Sequence, residues 1–157
     1  MGSSDIRVGV ISDTHGLLRP QAVAALRGSE IIVHAGDVGS PEVLAELRGI
    51  APTRAVRGNV DSGPLATKLP ATDIIAVGQL RLYMLHIIAE LDVDPAAAGF
   101  AAVIYGHSHK PSIEWRGGVL YLNPGSAGPR RFRLPVTVAR LQVTGRSLRP
   151  EIIELDV

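Results

Sequence analysis

Short apolar runs separated by helix-forming segments make up the first half of the chain. The run IRVGVI at 6–11 is continuous and rich in β-branched residues, which is typical of a strand covered on both faces. EIIVHA at 30–35 and TRAVRG at 53–58 indicate two further strands. PQAVAALRG at 20–28 and PEVLAELRG at 41–49 begin with proline and end with glycine, as helices often do. This βαβαβ order predicts a parallel sheet.

The second half of the chain is rich in strands and poor in helices. TDIIAVG and LRLYMLH are separated by Gly78-Gln79, which predicts a hairpin. An alanine-rich segment at 91–99 indicates a helix, and AAVIYG, SIEWRG and VLYLNPG follow as strands. The tail VTVARLQVTGRSLRPEIIEL alternates around a TGR turn and predicts a final hairpin. We therefore expect two sheets packed face to face with helices outside, the parallel half forming one sheet and the antiparallel half the other.

Length, charge and composition narrow the class of protein. The 157 residues contain no Gly/Ser run or charge block that would divide them, so we expect a single domain over 1–157. A formal net charge of +1 gives no strong attraction for nucleic acids or anionic membranes. No apolar run reaches the ~18 residues of a membrane span, and we expect a cytoplasmic protein. Without cysteine, any bound metal would be held by nitrogen and oxygen.

Side chains able to bind a metal follow five of the predicted strands. They occur in ISDTHG, HAGDVGS, RGNVDS, LHII and GHSHKP, and these segments contain all five histidines of the chain. In open α/β sheets, ligands bind outside the carboxyl ends of the strands, so segments that are far apart in sequence can meet there. The candidate site residues are Asp13, His15, Asp37, Asn59, Asp61, His86, His107 and His109.

Each of the first four segments also has a purely structural explanation. Asp13 suits a loop-capping position, and Asp37 after glycine suits a turn. Asn59 and Asp61 suit an Asx turn, and His86 at the end of an apolar strand suits a buried, hydrogen-bonded position. A carboxylate at position 37 also suits a bridge between two cations about 3.5–4 Å apart.

The segment GHSHKP gives the strongest local signal for a metal. His107 and His109 are separated only by the small Ser108, and Gly106 permits a close approach, so one loop can reach two adjacent ions. Paired histidines on a surface contribute little to packing. His34, in contrast, is expected to be a hydrogen-bonding partner of the site rather than a ligand.

The order Asp-x-His, Gly-Asp, Gly-Asn, His and Gly-His-x-His resembles the calcineurin-like metallophosphoesterase superfamily. ISDTHG, HAGDVGS, RGNVDS, LH, GHSHKP and NPGS, over residues 5 to about 130, are most similar to its small single-domain bacterial and archaeal phosphodiesterase branch. The resemblance implies an α/β fold, a four-layer sandwich of two mixed β-sheets flanked by helices. It also implies a two-metal centre at the strand ends.

The resemblance further implies a division of the candidate ligands between two metals. The first metal would be bound by Asp13, His15 and His109. The second would be bound by Asn59, His86 and His107, and Asp37 would bridge the two. In the family mechanism, a hydroxide that bridges the metals attacks phosphorus in line, and Asn59 can also orient the phosphate. We expect two Mn²⁺ ions, with Fe, Ni and Zn as alternatives, and a small phosphodiester as the substrate.

Two positions depart from the family pattern. Val60 stands where many members have a histidine that can act as a general acid, and Asp61 either takes part of that role or holds a histidine ligand. This absence favours diesters with acidic leaving groups over simple monoesters. Ile87 replaces the usual glycine after His86, which raises the question of whether the second metal position forms.

Two further points stay open at the level of sequence. The basic run Arg130, Arg131 and Arg133 suits a solvated turn better than an anion-binding surface. The fold also includes a eukaryotic trafficking subunit with a degraded metal site, so a non-catalytic interaction scaffold with a partial metal site is the alternative function. The presence of all seven ligands favours the enzyme. Self-association is compatible with both functions.

Overall fold

Ten strands in two sheets form the centre of the protein. The computed structural model describes residues 5–157, and Met1–Ser4 lie outside the described residues. In chain order the strands are β1 (Ile6–Ile11), β2 (Ile31–His34), β3 (Thr53–Ala55), β4 (Thr72–Val77), β5 (Leu80–Leu85), β6 (Ala102–Ile104), β7 (Ser112–Arg116), β8 (Val119–Asn123), β9 (Thr137–Thr144) and β10 (Ser147–Glu154). The first sheet has the order β10-β9-β1-β2-β3, and the second has the order β4-β5-β6-β8-β7.

The helices of the described residues are short. They are α1 (Pro20–Leu26), α2 (Pro41–Arg48), α3 (Gly63–Lys68) and α4 (Pro95–Ala98), with a 3₁₀ turn at Ile88–Glu90. Each α-helix has a proline at one of its first two positions, where the missing N–H would have no partner within the helix. The helix α3 was not predicted, because it buries no side chain and its sequence shows no apolar face.

The predicted βαβαβ unit is confirmed. Strand β1 pairs in parallel with β2, and β2 pairs in parallel with β3. Both predicted hairpins are also present, since β4 pairs with β5 and β9 pairs with β10 in antiparallel register. The carboxyl ends of the first three strands therefore lie side by side at one edge of the first sheet.

The expected division of the chain into a parallel and an antiparallel sheet is wrong. The tail hairpin belongs to the first sheet, because β9 pairs antiparallel with the free edge of β1. An unpaired edge on β1 would leave its backbone hydrogen-bonding groups without partners in the middle of the fold. The second sheet contains the parallel pairs β5–β6 and β6–β8. Both sheets are therefore mixed, as the resemblance implies.

The main core lies between the sheets and holds them face to face. It contains side chains from both, among them Val10, Val33, Met84, Ile104 and Leu120. A second cluster packs α1 and α2 against the outer face of the first sheet, and a third packs the 3₁₀ turn against the second sheet. This arrangement confirms the α/β architecture of two mixed sheets flanked by helices. Among the described residues, no helix has the length and apolar character needed to span a membrane.

Truncation of a side chain between the sheets should destabilise the whole domain. Leu120 is fully buried in the main core, so Leu120→Ala should lower the free energy of unfolding by about 2–5 kcal/mol. Urea denaturation measures this change. Ile113→Ala, on the adjacent strand β7 where Ile113 is 41% exposed, is the matched control and should cost less than about 1 kcal/mol. Equal losses in the two variants would contradict this packing.

Candidate metal centre

Loops at the carboxyl ends of β1, β2, β3, β5 and β6 bring all seven predicted ligands together. One group contains Asp13, His15 and His109, and in it one side-chain nitrogen or oxygen per residue lies within 4.8 Å of the others. The second group contains Asp37, His86 and His107, with the same spacing. Asn59 joins the second group, because its Oδ1 lies 3.1 Å from His107 Nδ1. That these side chains bind metal stays a prediction.

The backbone at these loops adopts conformations that few residues other than glycine tolerate. Six non-glycine residues in the described part of the chain have positive φ angles, and five of them are predicted ligands: Asp13 (57°), His15 (48°), Asp37 (56°), His107 (74°) and His109 (63°). Such conformations cost free energy and cluster at functional sites. The clustering at these five positions is an observation independent of the side-chain distances.

The two carboxylate oxygens of Asp13 have different surroundings. Its Oδ2 accepts hydrogen bonds from Ser12 Oγ (2.7 Å) and from the backbone N–H of His107 (3.1 Å). Its Oδ1 lies 3.4 Å from His109 Nε2 and 3.8 Å from His15 Nε2. The hydrogen bonds to Oδ2 therefore fix the carboxylate so that Oδ1 faces the two imidazoles of its group, and Oδ1 also lies 3.8 Å from His86 Nε2 of the second group.

Asp37 lies between the two groups. Its Oδ1 accepts a hydrogen bond from the backbone N–H of Val60 at 3.0 Å. Its Oδ2 lies 3.1 Å from His86 Nε2 in the second group and 3.7 Å from His15 Nε2 in the first. One oxygen atom thus faces ligands of both groups, which is the placement that a bridging carboxylate requires.

Two glycines allow the loops to approach closely enough for these contacts. A Cβ atom at Gly58 would overlap the Asp37 backbone and carboxylate, and one at Gly106 would overlap Ser12 and the Asp13 carboxylate. Both glycines have ordinary φ angles, so close approach rather than backbone freedom requires them here. This explains the glycine before Asn59 and the glycine before His107.

Hydrogen bonds determine which histidine nitrogens are free. The Nδ1–H of His86 donates to the carbonyl of Ala35 at 2.7 Å, which leaves the Nε2 lone pair facing Asp37. His34 Nδ1 accepts from the Gly36 N–H at 3.1 Å, so its Nε2–H donates to Thr14 Oγ1 at 3.0 Å. Burial lowers the pKa of His34 to about 4 and keeps it neutral. His34 thus connects the loops that carry the ligands, as expected for a residue that supports the site.

The charges at the centre favour ionised carboxylates. Burial alone would raise the pKa of Asp13, but the neighbouring His109 and His15 side chains and the hydrogen bond from Ser12 hold it below its usual range. The pKa of Asp37 is lowered in the same way, against burial, by His86 and the Val60 amide. Burial lowers the pKa of His86, but Asp37 and Asp13 outweigh it and raise the pKa overall. Two negative carboxylates therefore attract positive charge to this centre.

Unpartnered polar atoms test whether a divalent cation fits the centre. Within residues 5–157, four buried side-chain atoms have no hydrogen-bond partner: Asp13 Oδ1, His15 Nε2, His86 Nε2 and His109 Nδ1. Buried polar atoms without partners are rare and costly, and the first three face the centre. Around an ion with bonds of about 2.1 Å, neighbouring ligand atoms stand about 3.0–3.4 Å apart. The observed separations of 3.1–3.8 Å within the groups and to Asp37 are close to this range, so the residues fit a metal.

Asp61 makes none of the contacts expected of it with a histidine. Its Oδ2 accepts from the backbone N–H groups of Gly58 (2.9 Å) and Val38 (3.2 Å), and its Oδ1 accepts from Gly39 (2.9 Å). Its carboxylate therefore joins the loop that carries Asp37 to the loop that carries Asn59. All of the side-chain hydrogen bonds of Asp61 within the described chain go to backbone amides, so its role in the site stays a prediction.

The replacement of glycine by Ile87 leaves His86 in place. Ile87 has φ −112° and ψ 113°, which is ordinary extended backbone that any residue adopts. His86 Nε2 lies 3.1 Å from Asp37 Oδ2. Isoleucine at position 87 therefore imposes no backbone strain that would move His86 away from the second group.

The turn NPGS supports the centre through residues that the sequence analysis did not single out. Asn123 Nδ2 donates to the carbonyl of Gly106 (3.2 Å) and to Ser108 Oγ (3.1 Å), which fixes the loop of His107 and His109. Ser126 Oγ donates to the Asp13 carbonyl at 3.1 Å. The motif NPGS is part of the family resemblance, which placed the turn near the site but did not identify these hydrogen-bond partners.

Comparison with known proteins agrees with this geometry. A family model described as the calcineurin-like phosphoesterase superfamily domain matches residues 6–146. A protein of Methanothermobacter thermautotrophicus named probable metallophosphoesterase is 35% identical over 158 residues, covering 93% of this chain and 91% of that protein. Phosphodiesterase YfcE of Escherichia coli K12 is 31% identical over 142 residues, covering 73% of this chain and 76% of that protein.

A solved structure of similar fold is named for protein sorting and not for phosphoester hydrolysis. Vacuolar Protein Sorting 29 of Cryptosporidium parvum superposes with a TM-score of 0.77 at 18% identity, covering 98% of this chain and 99% of that chain. At this identity the likeness shows the fold alone. The match of the family model to most of the chain shows more: the chain belongs to the calcineurin-like phosphoesterase superfamily.

Proposed function

We propose that this protein is a phosphodiesterase that depends on two divalent metal ions. Asp13, His15 and His109 would hold one ion, and Asn59, His86 and His107 the other, with Asp37 shared between them. The observation that carries the proposal is the position of Asp37 Oδ2, which faces ligands of both groups at 3.1 and 3.7 Å. The similarity to a bacterial phosphodiesterase supports the choice of reaction.

The residues of the chain bind the ions and position the substrate. Two such ions supply Lewis-acid polarisation of the phosphoryl oxygens and a lowered pKa for water. Asp13 and Asp37 balance part of the positive charge, and the strained loops keep the imidazoles in place before substrate arrives. The Asn59 side chain is exposed, so its amide N–H can donate to a phosphoryl oxygen. We propose Mn²⁺ as the metal. Nitrogen and oxygen ligands also accept Fe, Ni and Zn, which are the alternatives.

The loop after β3 provides no obvious proton donor for a leaving group. Val60 is apolar, and its backbone N–H is used by Asp37. Both oxygens of the Asp61 carboxylate already accept hydrogen bonds from backbone N–H groups, which hold the side chain against the loops. A leaving group that needs no proton is therefore preferred, which supports diesters with acidic alcohols over simple monoesters.

The alternative is an interaction scaffold of the same fold. The likeness to Vacuolar Protein Sorting 29 and the exposed Ile113 and Trp115 on the edge strand β7 favour this function. An exposed apolar edge suits contact with another protein. The close arrangement of the seven candidate ligands supports the enzyme.

Hydrolysis of bis(p-nitrophenyl) phosphate tests the proposed function. The purified chain should release nitrophenol when Mn²⁺ is added, and Asp37→Ala should lower kcat/KM at least about 100-fold because it removes a ligand of both ions. Asp156→Ala, a carboxylate on the exposed C-terminal segment, is the matched control and should retain activity. Absence of hydrolysis with Mn²⁺, Fe²⁺, Ni²⁺ and Zn²⁺ would contradict the enzyme and leave the scaffold.

Removal of the Asp61 carboxylate should weaken metal binding. Asp61→Ala leaves the amides of Val38, Gly39 and Gly58 without their acceptor, so the loops of Asp37 and Asn59 lose their connection. We expect the Kd for Mn²⁺ to rise about 10–100-fold in a calorimetric titration, with a smaller rise for Asp61→Asn, which keeps one acceptor oxygen.

A proton-donating role for Asp61 predicts a different result. Metal affinity would then be unchanged in Asp61→Ala. The fall in activity at high pH, which reports loss of the proton from a general acid, would disappear from the pH profile of the variant. Circular dichroism spectra of the variants serve as the control for folding.

A further inference from the structure

A cavity of about 280 Å³ opens beside the second ligand group. His86 and Asn59 form part of its lining, so it adjoins the position where we place the reacting phosphate. The side chains that give the rest of the cavity its character are Arg57, Thr72, Ile87, Glu90 and Asp92. Neither the family match nor the relatives assign a role to this cavity.

Two sets of hydrogen bonds hold the walls of the cavity. The backbone N–H of Arg57 donates to the carbonyl of Pro70 at 2.9 Å, and its guanidinium Nη1 donates to the carbonyl of Leu69 at 3.0 Å. In a second segment of the lining, the Glu90 N–H donates to the Ile87 carbonyl at 3.0 Å within the 3₁₀ turn. Leu91 packs into the third core cluster and anchors this turn. Both lining segments are therefore fixed by contacts with the rest of the fold.

The charges along the cavity select the type of group that can enter. Among residues 5–157, neither Glu90 nor Asp92 forms an ion pair, and both carboxylates are exposed. An apolar chain would form no hydrogen bond with these side chains, and a second phosphate would be repelled by the two carboxylates. Hydroxyl groups suit all three side chains, because they donate to carboxylates and accept from a guanidinium. Carboxylates bind the ribose hydroxyls of nucleotides in this way.

Ile87 limits the size of that group. Its side chain lines the cavity, whereas a glycine at this position would contribute no side chain. The cavity volume of about 280 Å³ is just below the range of about 300–1,000 Å³ found for small-molecule sites. A pentose ring suits such a volume better than a drug-sized group.

We propose that this cavity is a polyol subsite, which binds the hydroxyl-bearing organic group of the substrate beside the reacting phosphate. Glu90, Asp92 and Arg57 hydrogen-bond the hydroxyls, and Ile87 restricts the group to about the size of a pentose. The inference rests on the proposed function, because the phosphate at the metal centre places the polyol in the subsite. The natural substrate is then a phosphodiester of a sugar or of glycerol.

Binding of matched phosphate esters tests the subsite without requiring turnover. The isotope-labelled full chain, loaded with Zn²⁺, is titrated with ribose 5-phosphate and with cyclopentylmethyl phosphate, which has a five-membered carbocycle without hydroxyls. Ribose 5-phosphate should bind at least about tenfold more tightly, since its hydroxyls can hydrogen-bond the charged side chains and the carbocycle cannot. The amide signals of Ile87, Glu90 and Asp92 should shift.

A double variant assigns the preference to its side chains. Glu90→Gln combined with Asp92→Asn should reduce the ratio of the two affinities to below about threefold, because neutral amides form weaker hydrogen bonds to hydroxyls. Glu154→Gln combined with Asp156→Asn, at exposed positions of the C-terminal segment, should keep the ratio. Equal affinities in the wild type, or a preference that survives the first double variant, would overturn the subsite.

Two further arms identify the polyol and separate this inference from the proposed function. A second pair, glycerol phosphate and propyl phosphate, distinguishes glycerol from ribose by which pair has the larger affinity ratio. Ile87→Ala should improve the affinity for glucose 6-phosphate relative to ribose 5-phosphate, and an unchanged ratio would contradict the size limit. Loss of bis(p-nitrophenyl) phosphate hydrolysis with the binding preference intact would reject the enzyme, whereas hydrolysis without the preference would reject the subsite alone.

Discussion

The contact between Asp37 and His86 joins the two halves of this protein. Asp37 follows β2 in the first sheet, and His86 follows β5 in the second, yet their oxygen and nitrogen atoms lie 3.1 Å apart. The hydrogen bond from the His107 N–H to Asp13 adds a second connection between the sheets. Each ligand group takes side chains from both sheets. The candidate centre thus depends on the packing of the main core, because a small shift of one sheet against the other would pull the members of each group apart.

This dependence explains why strain collects at the same loops. Five candidate ligands have left-handed backbone conformations, and several buried ligand atoms have no hydrogen-bond partner in the described chain. Both features cost free energy, and the burial of apolar side chains between the sheets offsets that cost. Bound cations would lower it further, since they neutralise the carboxylates and satisfy the unpartnered atoms. The metal is therefore expected to stabilise the fold as well as to support the chemistry.

Much of the fold and most of the candidate site could be predicted from the sequence. The β-branched run of β1 and the polar residues after each strand have strong local patterns, so Asp13 and Asp37 could be identified without a structure. The position of the tail hairpin could not, because pairing with β1 depends on which edge remains free in the folded sheet. The role of Asp61 could not either, since its partners are backbone amides and the sequence pattern does not distinguish them from a histidine. Ile87 is a further example, because its backbone is ordinary and its side chain matters only as part of a cavity wall.

The number of metal ions bound per chain tests the central claim most directly. Seven side chains arranged in two groups around Asp37 should bind two Mn²⁺ ions, and Asp37→Ala should weaken both binding events because its carboxylate faces both groups. Calorimetric titration of the purified chain, checked by elemental analysis, measures this stoichiometry. Two ions per chain is the result that this account predicts. Binding of no ion, or of one ion that Asp37→Ala does not affect, would contradict it.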